Sequence, residues 1–227
     1  MILYLRTEFK NSILLYTFMK FLTVFVLLTC ISFVAAKAQM AAEFNHSKYI
    51  NSIKNERKVK DTEMRTGDHS PIPDEEKATF SKLKYYRPKV SLRKESSFER
   101  FDQATRFLMK TTTERLPEYS IYGKVTFRHK GKEYSMNVYQ NIELVKKPGF
   151  EKHLFIPFND RTNGSETYGG GRFLDITETG SDTLIVDFNK AYNPYCAYNH
   201  KYSCPIPPEE NDLKIKIKAG EKIWHKQ

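Results

Sequence analysis

The stretch Tyr119-Ser120-Ile121-Tyr122-Gly123-Lys124-Val125-Thr126-Phe127-Arg128-His129-Lys130-Gly131-Lys132-Glu133-Tyr134-Ser135-Met136-Asn137-Val138-Tyr139-Gln140 decides the fold class. Val125 and Phe127 before its centre, and Tyr134, Met136 and Val138 after it, alternate with polar residues. A period of two puts the apolar set on one face of a pleated strand. The pattern predicts two antiparallel strands, Tyr119 to Arg128 and Lys132 to Gln140, joined by the three-residue turn His129-Lys130-Gly131.

Outward from this hairpin the same alternation, or short β-rich apolar runs, predicts strands at Glu99 to Met109, His153 to Phe158, Arg172 to Thr177, Thr183 to Asp187 and Leu213 to Ile217. Closely spaced strands with little helix between them predict a mainly β fold. The expectation is an antiparallel β-sandwich or partly open barrel with one or two short N-terminal helices. Residues 42 to 65 are highly charged, and Tyr49, Ile50, Ile53 and Met64 form a partial apolar stripe. A helix capped near Ser47 and packed loosely on the domain is expected there. After the breaker segment Gly67 to Pro73, acids in a first turn at Asp74-Glu75-Glu76-Lys77 and the spacing of Phe80 and Leu83 predict a short helix to about residue 83. Three regions result: 1–38, a charged and partly helical segment 39–66, and a single β-rich domain 67–227.

The first region reads as an export signal. Lys20 is followed by sixteen uncharged, mainly apolar residues, Phe21 to Ala36, and then by the small-x-small pattern Ala36-Lys37-Ala38. Cleavage before Gln39 and a true start at Met19 are expected. The run is shorter than the roughly 18 to 20 residues of a spanning helix, so no integral span is expected after cleavage. The chain is thus expected to be periplasmic or extracellular. Its 227 residues carry Lys+Arg 37 against Asp+Glu 27, a net charge of +10, with 14 Tyr and 16 Phe. A mean hydropathy of -0.59 excludes a polytopic membrane protein, and the aromatic content excludes wholesale disorder. The positive charge is dispersed: Lys54 to Lys60 and Lys214 to Lys218 are interleaved with apolar or acidic residues. No nucleic-acid reader motif accompanies it, and nucleic acid is not expected as a partner.

Cys196 and Cys204 remain after signal cleavage. In an oxidising compartment they are expected to form a disulfide, which would stabilise by about 2 to 3 kcal/mol in the chain-entropy model. The competing reading takes Cys196-x3-His200-x3-Cys204 as soft ligands on one helical face for zinc, but Pro194 and Pro205 flank the segment and no fourth ligand is evident. The histidines show neither His-x-His nor His-x3-His spacing, so no metal and no cofactor are expected.

Polar chemistry is concentrated between Phe158 and Lys222. Thr167-Tyr168-Gly169-Gly170-Gly171-Arg172 leaves backbone N–H groups free beside a guanidinium that can fork onto a carboxylate or phosphate. The loop lacks the Lys-Ser/Thr of a phosphate-binding P-loop and a following helix. One reading is an anion pocket; the other is a loop feeding a strand, with Arg172 paired to Asp160 or Asp187. Asp187, Asn189, Tyr192, Asn193 and Asn211 supply either a rigid, self-satisfied corner or, with Tyr195, Tyr198 and Tyr202, a polar aromatic pocket.

The order Asn163-Gly164-x-x-Thr167-Tyr168-Gly169-Gly170-Gly171-Arg172, Asp187-Phe188-Asn189-x-Ala191-Tyr192-Asn193-Pro194-x-Cys196-Ala197-Tyr198, Cys204-Pro205-x-Pro207-Pro208-x-x-Asn211 and Ala219-Gly220-Glu221-Lys222 resembles the bacterial and archaeal domain-of-unknown-function family 1684 over residues 60 to 222. The resemblance implies that Thr167, Tyr168, Gly169, Gly170, Arg172, Asp187, Asn189, Tyr192, Asn193, Cys196, Cys204 and Asn211 act together. It carries no catalytic role, and His200 is not part of the pattern. The expected function is binding of a small polar or anionic ligand, such as a carboxylate-bearing envelope component. The alternatives are a hydrolase using Asp160, Asp187 or Glu210 and a purely structural envelope protein. A Ser nucleophile is not supported, since Ser165 lies outside a Gly-x-Ser-x-Gly elbow.

Overall fold

The computed structural model describes residues 46–224. The export signal and the start at Met19 lie outside the described residues. The chain divides into two compact units, Met1–Tyr49 and Ile50–Gln227. Of the first, only residues 46–49 are described.

Helix α1 (residues 46–66) precedes the short helix α2 (Asp74–Lys77) and seven strands: β1 (Arg93–Leu108), β2 (Glu118–His129), β3 (Lys132–Asn141), β4 (His153–Asp160), β5 (Arg172–Thr177), β6 (Thr183–Asp187) and β7 (Asp212–Leu213). The strands form a curled, antiparallel half-barrel in the order β5-β4-β3-β2-β1-β6, and β7 is added parallel to β4. This is the partly open barrel among the two architectures expected. The described residues contain no helix long and apolar enough to cross a membrane.

Period two sorts the sheet's side chains between two clusters. The main core takes Val125 and Phe127 from β2, Met136 and Val138 from β3, Leu154, Ile156 and Phe158 from β4, and Leu174 from β5. The opposite face at one end carries a second cluster, in which Tyr119, Tyr139, Phe155 and Phe173 meet Cys196 and Cys204. Strands β4 and β5 are therefore covered on both faces. A register shift between Ile121 and Gly123 re-aims the end of β2, so that Tyr119 and Ile121 serve the second cluster.

Four local expectations need correction. The hairpin turn has two residues: His129 pairs with Lys132, and Lys130 and Gly131 both have positive φ, 50° and 79°. That geometry matches the right-handed twist of the flanking strands. The helix from Asp74 ends at Lys77, because the chain beyond it is drawn out along α1: Asp61 accepts the Leu83 N–H at 2.9 Å, and Arg65 donates to the Ser81 carbonyl at 2.6 Å. Helix α1 is not loosely packed. Ile53 and Met64 are fully buried, and Arg57 donates to the carbonyls of Tyr86 and Asn189. Finally, the strand expected over Leu213 to Ile217 pairs only at its start, although Leu213, Ile217 and Ala219 still alternate inward. A buried arginine takes the carbonyls a neighbouring strand would have used.

Gly123 marks a close approach between β1 and β2. A Cβ there would lie 2.4 Å from the Glu99 carbonyl oxygen and 2.7 Å from the Phe98 ring. Gly123→Ala is expected to destabilise the domain by about 1 to 3 kcal/mol through overpacking, which urea unfolding measures as a lower midpoint at unchanged slope.

Candidate functional site

Arg172, the first residue of β5, is fully buried. One terminal nitrogen donates to the carbonyls of Ala219 and Glu221, and the other to Asp160 Oδ2 at 2.5 Å and the Ile217 carbonyl at 2.9 Å. Asp160 Oδ1 accepts the N–H groups of Thr162 at 2.7 Å and Ile217 at 3.3 Å. The guanidinium fork thus ties the 217–221 segment to the sheet, where no strand completes a ladder. The anion pocket expected around it is not open: both terminal nitrogens are turned on Asp160 and on the protein's own backbone carbonyls, and Nε is buried without a partner.

Most of the other expected site residues do the same work. Asn211 offers both ends of its amide to Asn137, accepting its N–H at 2.7 Å and donating to its carbonyl at 3.0 Å, and also donates to the Pro157 carbonyl at 2.8 Å. Proline has no N–H for the ladder, and the amide stands between β3 and β4 where that pairing stops. Asp187 accepts the backbone and side-chain N–H groups of Asn189, whose amide in turn pairs both backbone groups of Lys89. The Asn193 N–H donates to Glu221 Oε2 at 2.7 Å, and its side chain donates to the Lys222 carbonyl. Thr167 shares a hydrogen bond with Thr162. Gly169 and Gly170 lie on an exposed turn, and Gly171 (φ 89°) is pressed against Pro207, so the glycines shape a close-packed bend. Tyr168 reaches the Cys196 sulfur at 3.7 Å. Arg172, Asp187, Asn189, Asn193, Asn211 and Thr167 thus build a self-satisfied corner.

Tyr192 faces a different feature, a groove of about 1150 Å³. One wall is α1, with Val59, Lys60 and Glu63; the other is Phe173 and Asp175 of β5 with the segment carrying Tyr192, Tyr195, Tyr202 and Cys204. Phe173 and Tyr192 meet edge to face at 5.8 Å, as do Tyr195 and Tyr202 at 5.2 Å. Asp175 is held from two sides, by the Tyr192 hydroxyl at 2.7 Å and His153 Nε2 at 2.9 Å, while its side chain stays 48% exposed. Lys60 lies 4.8 Å from the centre of the Tyr192 ring and 2.6 Å from Glu221 Oε1. Burial, then the Asp175 charge, pushes the Tyr192 phenol well above its usual range. Burial, then Tyr202 and Glu63, raises that of Tyr195. Both are hydroxyl donors at neutral pH.

The sequence reading missed Phe173, Asp175 and the α1 residues. A signal was available, because Phe173 and Asp175 alternate with Arg172 and Leu174 and so must face away from the guanidinium. The candidate carboxylates do not converge. Asp160 and Asp187 are buried in internal hydrogen bonds, and Glu210 is exposed. The disulfide expected between Cys196 and Cys204 is not formed: both are buried free thiols, with the Cys196 N–H directed at the Cys204 sulfur at 3.2 Å. The zinc spacing also fails. Residues Tyr195–Ala197 make a 3-10 turn rather than part of one long helix, and His200 is exposed while the cysteines are buried. Among the described residues no group of three or more His, Cys, Asp or Glu could hold a metal ion.

Fold and site together define a small half-barrel domain whose polar signature residues brace irregular backbone beside an aromatic groove. The chain belongs to the family described as Protein of unknown function (DUF1684), whose pattern matches residues 78–222. It is similar to an uncharacterized protein of Haloarcula marismortui solved by solution NMR, at 28% identity and a TM-score of 0.61, covering 78% of this chain and 96% of that one. Among curated proteins none matches the chain. The family match spans the sheet and the corner but stops short of α1, one wall of the groove.

Arg172→Met leaves the Asp160 carboxylate buried without its cation. It is expected to cost about 3 to 5 kcal/mol, and Arg172→Lys is expected to recover only part of this, because an ammonium cannot reproduce the planar fork. Urea unfolding of the three proteins checks both statements.

Proposed function

We propose that the protein is an exported binding domain that takes a small amine with an apolar or planar body into the groove beside α1. The observation carrying this reading is the Asp175 carboxylate. It is held by His153 and Tyr192, yet half open to the groove, and Phe173 and Tyr192 stand beside it. A fixed carboxylate next to aromatic faces suits an ammonium group, by charge-assisted hydrogen bonding and by attraction to the ring quadrupole. The protein's own Lys60 ammonium already lies over the Tyr192 ring.

Charge supports the same class. The chain as a whole is basic, at +10, but Glu56, Glu63, Asp68 and Asp175 line the groove against Lys60 and His69. Lys60 and Glu56 are engaged with Glu221 and Lys190. The remaining acids disfavour the anionic ligand expected from Arg172, whose charge is spent internally. Val59 and Tyr195 offer exposed apolar area for the ligand's body. Export rests on the Phe21 to Ala38 pattern alone.

A ligand binding only the folded state stabilises by about 2.7 kcal/mol at a hundredfold excess over Kd. Melting temperatures against a panel of aromatic and aliphatic amines, carboxylates, phosphates and sugars should rise for amines. Asp175→Asn is expected to weaken the best of them about tenfold or more, equivalent to at least about 1.4 kcal/mol, and Tyr195→Ala to weaken it further. A response confined to anions, or one that Asp175→Asn leaves unchanged, sinks the reading. No response to any compound would favour a purely structural role.

A further inference from the structure

Cys196 and Cys204 meet at the edge of the second apolar cluster, and the binding reading uses neither thiol. Cys204 is part of the groove wall. Behind it, Cys196 is buried, and its sulfur lies 3.7 Å from the Tyr168 hydroxyl. The Cys196 backbone N–H points at the Cys204 sulfur, and a backbone N–H directed at sulfur favours the thiolate. The Cys204 strand of this loop is anchored separately: its N–H donates to Thr112 Oγ1 at 3.1 Å, and its carbonyl accepts the Thr112 N–H at 2.9 Å. The Cys204 sulfur is therefore held against the Cys196 backbone, eight residues away in sequence, and Cys204, although buried, is among the residues that line the groove.

We propose that Cys196 and Cys204 are a reversible dithiol–disulfide couple that exchanges with small-molecule disulfides entering the groove. The inference does not depend on the groove binding an amine. The hydrogen bond from Cys204 is the main cause drawing the Cys196 thiol down to about 6, and the same contact, then burial, pushes Cys204 up. The pair thus loses its first proton easily and holds its second. Proton transfer across the sulfurs places the charge on Cys204, which attacks one sulfur of a disulfide RSSR. The Cys204 Sγ–SR bond forms, the RS–SR bond breaks, and the departing RS⁻ takes up a proton. Cys196 then gives its proton to solvent and attacks Cys204 Sγ, releasing the second RS⁻, which is protonated in turn. The net change is two protein thiols and RSSR to one intramolecular disulfide and two RSH.

The test uses the reduced full chain carrying Cys30→Ser, treated with oxidised glutathione under native conditions and followed by intact mass. The expected result is the loss of two hydrogens with no retained adduct, reversed by excess reduced glutathione. In this background Cys196→Ser should stop at one glutathione adduct on Cys204, and Cys204→Ser should slow adduct formation at least about tenfold, as expected where the thiol of the groove-lining residue is the point of entry. Circular dichroism checks that each variant is folded, and the parent experiment stands without them. Reaction only after denaturation would overturn the proposal. So would a disulfide that dithiothreitol reduces but reduced glutathione does not, since that is a permanent cross-link. Equal adduct rates in the two variants would remove Cys204 as the point of entry.

Discussion

The guanidinium of Arg172 takes the place of a strand. The chain from Leu213 to Glu221 keeps the inward and outward alternation of a β-strand, burying Leu213, Ile217 and Ala219 under the half-barrel, yet beyond β7 its backbone is met only at isolated points, among them the Arg161 N–H at the Ile215 carbonyl and Tyr85 and Tyr86 at Glu221 and Gly220. The carbonyls of Ala219 and Glu221 would otherwise lack donors and that of Ile217 would have only the Ala219 N–H, a state folded proteins avoid because an unpaired buried acceptor costs its full desolvation. Arg172 answers three of them and Asp160 together. Burying a charge is unfavourable unless it is both paired and hydrogen-bonded, and here both conditions are met. The ion pair is therefore better understood as a substitute for backbone pairing than as a reserve of electrostatic energy.

The same device recurs with amides. Asn211 bridges β3 and β4 beside Pro157, Asn189 pairs both backbone groups of Lys89, and Asn193 and Glu221 tie the segment after β6 to the C-terminal segment. An amide presents a donor and an acceptor with nearly the geometry of a peptide group, so one side chain can imitate one residue of a strand. These residues form a shared signature because they complete one hydrogen-bonded framework. That framework fixes where β5 and the Tyr192 to Cys204 segment leave the sheet, and with them the groove wall. The corner positions the site without entering it.

Much of the fold was legible in the alternation of residues 119–140, 153–158, 172–177 and 183–187, because a strand with one buried face repeats its apolar residues every second position. The half-barrel and sandwich readings could not be separated that way, since both require the same alternation and differ only in whether the sheet curls. The short α2 was read too long because Phe80 and Leu83 have helical spacing, while their burial comes from an extended chain held by Asp61 and Arg65. Arg172 and Asp160 were legible as a potential pair; that this pair would also consume three carbonyls from a segment 45 to 49 residues away was not.

The sequence by itself determined the class of fold, the hairpin at its centre and the family signature with its polar residues. Local period, turn chemistry and residue type are properties of neighbouring positions, and they survive without knowledge of the rest of the chain. Tertiary structure alone decided what those polar residues face. Arg172, Asn189 and Asn211 meet backbone groups of distant segments, whereas Phe173 and Asp175, one residue and three residues beyond Arg172, turn to the opposite side of β5 and meet α1 across a groove. Whether a side chain's donors find protein or solvent depends on which segments the fold brings to it, and a one-residue step along a strand is enough to reverse the answer.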